Sequence, residues 1–75
     1  MGENTRELSL GERRIRTKFN VSGDTTVDSF KLETAKLIDR LEGLKGADGE
    51  QFRLIALAQT AYEEAAMWAV KAATI

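Results

Sequence analysis

The 75-residue sequence contains no cysteine, no histidine and no proline. Without cysteine the chain can form neither a disulfide framework nor a thiolate metal site, and it suits a reducing compartment. Without histidine it lacks the commonest general base and the commonest neutral metal ligand. No apolar run approaches the length of a membrane span, and no signal peptide is visible. We therefore expect a soluble, intracellular protein without a cofactor, a metal ion or a membrane partner.

Polar residues are also scarce at the C-terminal end. Residues 65–75 carry a single charge, at Lys71, and eight alanines lie between Ala56 and Ala73. A chain this short buries only about 60% of its unfolded surface, so a monomer would be marginally stable. Small residues let helix backbones approach closely. We predict that one face of the C-terminal helix packs within the chain and the other contacts a second copy, in a homo-oligomer.

The sequence predicts an all-α fold, an antiparallel helical hairpin with a short N-terminal arm, in one domain spanning residues 1–75. Asp24 or Thr25 caps the first long helix, Asp48 caps the second, and the short connection makes them antiparallel. The predicted segments are a loose arm with room for one helical turn at 1–12, a basic and aromatic loop at 13–24, a first long helix at 25–45 and a second at 48–74.

Apolar spacing predicts which helix faces are buried. The first long helix has a main stripe and a thinner stripe through Ala35, Ile38 and Leu41. The second long helix has two apolar faces, and Met67 and Trp68 are interpreted as core or interface residues. The main stripe of the first helix consists of Val27, Phe30, Thr34, Leu37, Leu41 and Leu44. One face of the second long helix consists of Leu54, Leu57 or Ala58, Ala61, Ala65, Trp68 and Ala72. The other consists of Phe52, Ile55, Tyr62, Ala66, Ala69 and Ala73.

Residues 1–20 hold five basic and three acidic residues, a net charge of +2 that leaves −3 for the remainder. A small local excess of positive charge suits a small anion better than a DNA backbone. The candidate binding residues before the first long helix are Arg16, Lys18, Phe19 and Asn20. Cationic donors and a helix N-terminus favour phosphate oxygens, and an aromatic ring stacks on a base. On spacing alone a structural interpretation is favoured, in which Phe19 packs on the hairpin and Arg13 and Arg14 are solvated.

The acidic residues do not predict an enzyme. Glu63 and Glu64 are adjacent, so on a helix they point about 100° apart, and an exposed helix edge is the favoured interpretation. Asp39 and Glu42 lie one turn apart without further ligands, which favours a solvated face over a Mg²⁺ site. We predict no catalytic residues and no metal ligands. Arg53, in the first turn of the second helix, opposes the helix dipole and therefore suggests a role outside the fold.

The stretch "IALAQTAYEEAAMWAVKAAT" contains three short blocks, AQT at 58–60, EEA at 63–65 and MWA at 67–69. These blocks resemble the C-terminal signature of the small phage helical-hairpin family of cyclic-nucleotide sponges, the anti-CBASS sponge and its Thoeris-inhibiting relatives. The upstream "RTKFN" is similar to the aromatic and polar loop of that family. The resemblance covers roughly residues 13–74 and is most specific at the C-terminal end.

The resemblance implies a non-enzymatic protein that assembles as a homo-oligomer, typically a hexamer built from dimers. It would bind cyclic oligonucleotide messengers in the cytoplasm of the infected bacterium and withhold them, undegraded, from antiviral effectors. A cyclic dinucleotide would lie in a pocket across two chains. Cyclic trinucleotides would use an Arg seven residues before the Thr of the AQT block, which is Arg53. The implied dinucleotide contacts are Phe19, Thr25, Thr26 and Lys31.

Two other functions stay open. A dimeric DNA-binding regulator could use residues 13–18 as a basic arm, but the acidic residues on the first long helix would repel a long polyanion, so we expect no duplex nucleic acid partner. Those acidic residues are Asp28, Glu33, Asp39 and Glu42. A structural phage protein would show no stabilisation by any nucleotide.

Overall fold

The structure, a computed structural model, describes residues 7–17 and 23–75. In this part of the chain the secondary structure is helical throughout: α1 spans Leu10–Ile15, α2 spans Thr25–Glu42 and α3 spans Gly49–Ala73. Helices α2 and α3 form a hairpin, and α1 packs mainly against α2. The predicted all-α helical hairpin is therefore confirmed. Both long helices end slightly before the predicted residues 45 and 74.

Helix α1 extends across the boundary predicted between the arm at 1–12 and the loop at 13–24. The Oγ atom of Ser9 accepts a hydrogen bond from the Glu12 N–H at 3.1 Å, and Oε1 of Glu12 accepts one from the Ser9 N–H at 2.8 Å. This is a complete capping box, which satisfies two helix N–H groups. The spacing of Ser9 and Glu12 carried the signal for a full helix, where the sequence interpretation allowed only one turn.

The core lies where the three helices meet. Ile38 is fully buried, and Ile15, Ala35 and Ala66 pack around it. Helix α1 approaches α2 closely at Gly11. A Cβ atom at this position would collide with the carbonyl oxygen of Ala35. The N–H of Gly11 donates to Oδ1 of Asp39 at 2.7 Å. Helix α1 is thus a packed part of the fold.

The buried side of α2 differs from the predicted main stripe. Phe30 and Leu44 of that stripe are 39% and 60% exposed, whereas Ala35 and Ile38 of the thinner stripe are buried. The physical reason is α1, which covers α2 on the side where a small residue allows close approach. The larger apolar side chains therefore remain on the outer side of the hairpin. The buried residues of α2 are Val27, Lys31, Ala35 and Ile38.

Helix α3 contacts α2 through Ile55, Gln59 and Ala66, which are buried. The Nε2 atom of Gln59 donates to the carbonyl oxygen of Ile38 and to Oε1 of Glu42, both at 3.1 Å. The hydrogen bond from Gln59 to Glu42, together with one from Lys45, lowers the pKa of Glu42 below its usual value.

The outer face of α3 retains large apolar side chains that are half exposed or more. Met67 is 65% and Trp68 58% exposed, so of the two predicted positions, core or interface, the single chain excludes the core. The prediction that they form an interface stays open. Leu54 and Leu57 are also exposed and lie on the same side of the helix as Trp68.

Candidate functional site

A groove of about 400 Å³ lies between α1 and the C-terminal half of α3, with α2 behind it. Among the described residues, three cations and one carboxylate line its walls, and the other lining side chains are apolar. Cations over an apolar floor suit a ligand that has both anionic groups and flat apolar surfaces. The lining residues are Arg14, Arg16, Lys31, Glu63, Ile15, Ala66, Met67 and Val70.

Arg14 joins α1 to α3 across this groove. Its Nε and Nη2 atoms donate to Oε1 of Glu63 at 3.1 and 2.7 Å, and Nη2 also lies 3.3 Å from Oγ1 of Thr60. The sequence interpretation took Arg14 as a solvated charge and Glu63 as an exposed edge, and it missed both as groove residues. They are 49 positions apart, so only the packing of α1 brings them together.

Arg16 ends α1 in the left-handed conformation, with φ 60° and ψ 56°. A non-glycine residue in this region costs on the order of 1 kcal/mol. Within the described part of the chain, its guanidinium has no hydrogen-bond partner, and the residue is exposed. This predicted binding residue is therefore placed in the groove with its charge available to a ligand.

Lys31, the predicted phosphate contact, reaches the groove from α2. It is only 8% exposed, and its Nζ donates to the carbonyl oxygen of Arg16 at 3.2 Å. The ammonium group therefore stabilises the end of α1 as well as lining the groove. Its contact with a phosphate stays a prediction.

The predicted residues at the start of α2, Thr25 and Thr26, do not line this groove. Thr25 and Thr26 are exposed in the first turn, where Oδ1 of Asp24 accepts the Thr26 N–H at 2.8 Å. The capping carboxylate thus holds the position at which a phosphate would meet the helix N-terminus. Lys18, Phe19 and Asn20 lie outside the described residues.

Arg53 lies in the first turn of α3, away from the groove. Its Nε and Nη2 atoms donate to the two carboxylate oxygens of Glu50 at 3.1 and 2.6 Å. This pairing lowers the pKa of Glu50 and raises the pKa of Arg53. Glu50 also offsets the unfavourable helix-dipole interaction expected of Arg53. Arg53 lies ten positions before Glu63 of the groove, which corresponds to about 15 Å along a helix.

The described residues include no cluster of acidic side chains that could hold a metal ion. None of the described helices is long and apolar enough to span a membrane.

Fold and groove together define a small helical domain with a charged groove on its surface. The profile of the Acb2/Tad1 hairpin domain matches residues 5–74. The match covers nearly the whole chain, so the protein belongs to this family, that of the anti-CBASS and anti-Thoeris sponges, and the resemblance seen in the sequence is confirmed. The family implies a phage cyclic-nucleotide sponge and is known for binding rather than catalysis. No curated protein and no solved structure matches the chain.

Proposed function

We propose that this protein captures cyclic oligonucleotide messengers without cleaving them, and that cyclic dinucleotides bind in the groove between α1 and α3. The observation that carries the proposal is the convergence of Arg14, Arg16 and Lys31 over an apolar floor. Guanidinium and ammonium groups bind phosphate oxygens, and the apolar floor accommodates the faces of bases and riboses. Capture in the cytoplasm of the infected bacterium would starve the antiviral effector of its messenger.

A second copy of the chain would complete the site. The groove is open to solvent, and Met67 in its wall is 65% exposed. A cyclic dinucleotide has two phosphates and two bases in a roughly two-fold arrangement, so an isologous dimer offers each half the same side chains. The open groove and the roughly two-fold ligand support a homo-oligomer, in our proposal a hexamer built from dimers.

Exposed apolar side chains support assembly on two sides of the hairpin. One set lies on the outer face of α3. The other surrounds a second groove of about 390 Å³ between α2 and α3. Light scattering at micromolar concentration should therefore give a dimer or a larger even-numbered assembly, and Trp68→Glu should dissociate it, because an unpaired charge in an apolar interface is strongly destabilising. A fully helical wild-type monomer would contradict the proposed assembly.

Arg53 is proposed as the contact for cyclic trinucleotides at a separate site. Its side chain is 60% exposed. Among the described residues its guanidinium pairs only with Glu50, one turn away, so a phosphate can replace Glu50 as its partner. Arg53→Ala should then abolish trinucleotide binding and leave dinucleotide binding unchanged.

Thermal shift with a panel of cyclic di- and trinucleotides tests capture. A ligand that binds only the folded state at a thousandfold excess over its Kd stabilises that state by about 4 kcal/mol, which raises the melting temperature of a small domain by many degrees. At least one cyclic nucleotide should do so, whereas linear nucleotides and duplex DNA should stabilise little. A panel without any stabiliser would contradict the proposal and favour a structural protein.

Arg16→Gly separates ligand binding from folding. Glycine adopts the left-handed conformation without strain, so this variant should fold as well as the wild type or better while losing the guanidinium. We expect the nucleotide-induced shift to fall sharply. Arg13→Ala is the matched control, because Arg13 is an exposed cation of α1 that does not line the groove. An undiminished shift in Arg16→Gly would exclude Arg16 from the site.

A further inference from the structure

Among the described residues that line the groove, Glu63 is the only one with a carboxylate, and only one of its two oxygens accepts hydrogen bonds. Both bonds from Arg14, at 3.1 and 2.7 Å, converge on Oε1 of Glu63. Within residues 7–17 and 23–75, Oε2 of Glu63 has no hydrogen-bond partner, and the side chain is 37% exposed. An ionised carboxylate only accepts hydrogen bonds. This oxygen is therefore an acceptor that a ligand donor can reach.

A carboxylate in the wall of a phosphate site repels the anion. Through Oε1, Glu63 holds Arg14 in place, but this contact leaves Oε2 without a role. Here Arg16 on α1 supplies a cation without a partner in the described part of the chain, and Glu63 on α3 supplies the acceptor on the opposite wall. The ligand that satisfies both walls has an anionic group at one end and N–H donors at the other. A nucleotide has this arrangement in its phosphate and its base.

On the basis of the proposed function, we propose that Glu63 reads the base of the bound cyclic nucleotide and selects guanine. Guanine has N1–H and N2–H side by side on its Watson–Crick edge, and Oε2 can accept a hydrogen bond from either donor without a guanine lone pair next to it. Adenine has an acceptor, N1, beside its amino group, and uracil has its N–H between two carbonyl oxygens. On each of these edges a lone pair lies next to the donor and repels the carboxylate, so Glu63 favours guanine.

Calorimetric titration of the full chain with three probes tests this role. Cyclic di-GMP has both donors, cyclic di-IMP lacks the 2-amino group, and cyclic di-AMP has an acceptor in place of N1–H. The wild type should bind cyclic di-GMP roughly tenfold or more tighter than cyclic di-AMP, with cyclic di-IMP between them. In Glu63→Gln the amide both donates and accepts, which suits adenine, so the difference should shrink to within about threefold.

Glu33→Gln is the matched control, because Glu33 is an exposed carboxylate of α2 outside the groove and its substitution changes the charge equally. It should keep the wild-type preference. Equal wild-type affinity for the three probes, or an unchanged guanine preference in a folded Glu63→Gln variant, would overturn the role of Glu63 and leave nucleotide capture standing. Failure of all three probes to bind would overturn the role of Glu63, and the thermal-shift panel of cyclic di- and trinucleotides would then decide nucleotide capture by itself. If Glu63→Gln does not fold, the three probes on the wild type decide alone, since they need no substitution.

Discussion

The two ends of the hairpin hold their charged side chains in different ways. At the α1 end, Arg14 and Glu63 are 49 positions apart and join two helices. At the turn end, Glu50 with Arg53 and Glu42 with Lys45 are each three positions apart. The first pair forms only when the chain is folded, whereas the other two need little more than local helix or turn structure. The Arg14–Glu63 pair therefore depends on tertiary packing, whereas the Glu50–Arg53 pair depends on one helix turn and leaves both side chains exposed.

Gly11→Ala should produce the largest change, because it attacks the packing of the α1 end directly. The new Cβ would collide with the backbone carbonyl of Ala35, which cannot move aside as a flexible side chain can. We expect a loss of about 3 kcal/mol in the free energy of unfolding, typical of severe overpacking. Denaturant unfolding at a fixed protein concentration measures it.

The turn end supplies the control for this substitution. A Cβ at Gly49 meets no atom within 4 Å, and this residue lies at the first position of α3. Gly49→Ala should leave stability unchanged or raise it by up to about 1 kcal/mol through helix propensity. Equal losses in the two variants would show that α1 is not packed as described.

A double-mutant cycle on Arg14 and Glu63 should give a smaller effect. Both side chains are partly exposed, at 25% and 37%, so solvent screens their interaction. We expect a coupling free energy of about 1 kcal/mol, since the geometry is good and the pair joins two helices. The same cycle on Arg53 and Glu50 should give a smaller coupling, because that pair lies on the surface of one helix. A larger coupling at the turn end would reverse the comparison between the two ends.

Arg53→Ala should produce the smallest effect, on the titration of one carboxyl group. Arg53 holds the pKa of Glu50 below its usual 4.5. The pair therefore stabilises the folded state fully above pH 4.5, and this stabilisation is lost as the pH falls through the lowered pKa. In Arg53→Ala the pKa of Glu50 should return towards 4.5, and the acid-induced loss of stability between the two values should become less steep. NMR titration of the Glu50 carboxyl group measures this. An unchanged pKa would show that the pair does not form in solution.

The sequence predicted the hairpin well because its signals are local. Asp24 and Asp48 cap the helices as expected, and apolar periodicity marked both helices. The choice of buried stripe on α2 failed because it depends on α1, whose packing at Gly11 is a contact between distant residues. Arg16 and Lys31 were predicted as binding residues from local composition and from the family resemblance. Arg14 and Glu63 were missed because their contact also depends on the packing of α1.

Recovery of the ligand tests most directly whether the groove captures a messenger intact. The protein is incubated with the cyclic nucleotide that stabilises it most, freed of unbound ligand, and then denatured by heat. Chromatography of the supernatant should return the nucleotide chemically unchanged in proportion to the protein, because the family is known for binding rather than catalysis. A linear product in place of the cyclic nucleotide would contradict sequestration and indicate a phosphodiesterase.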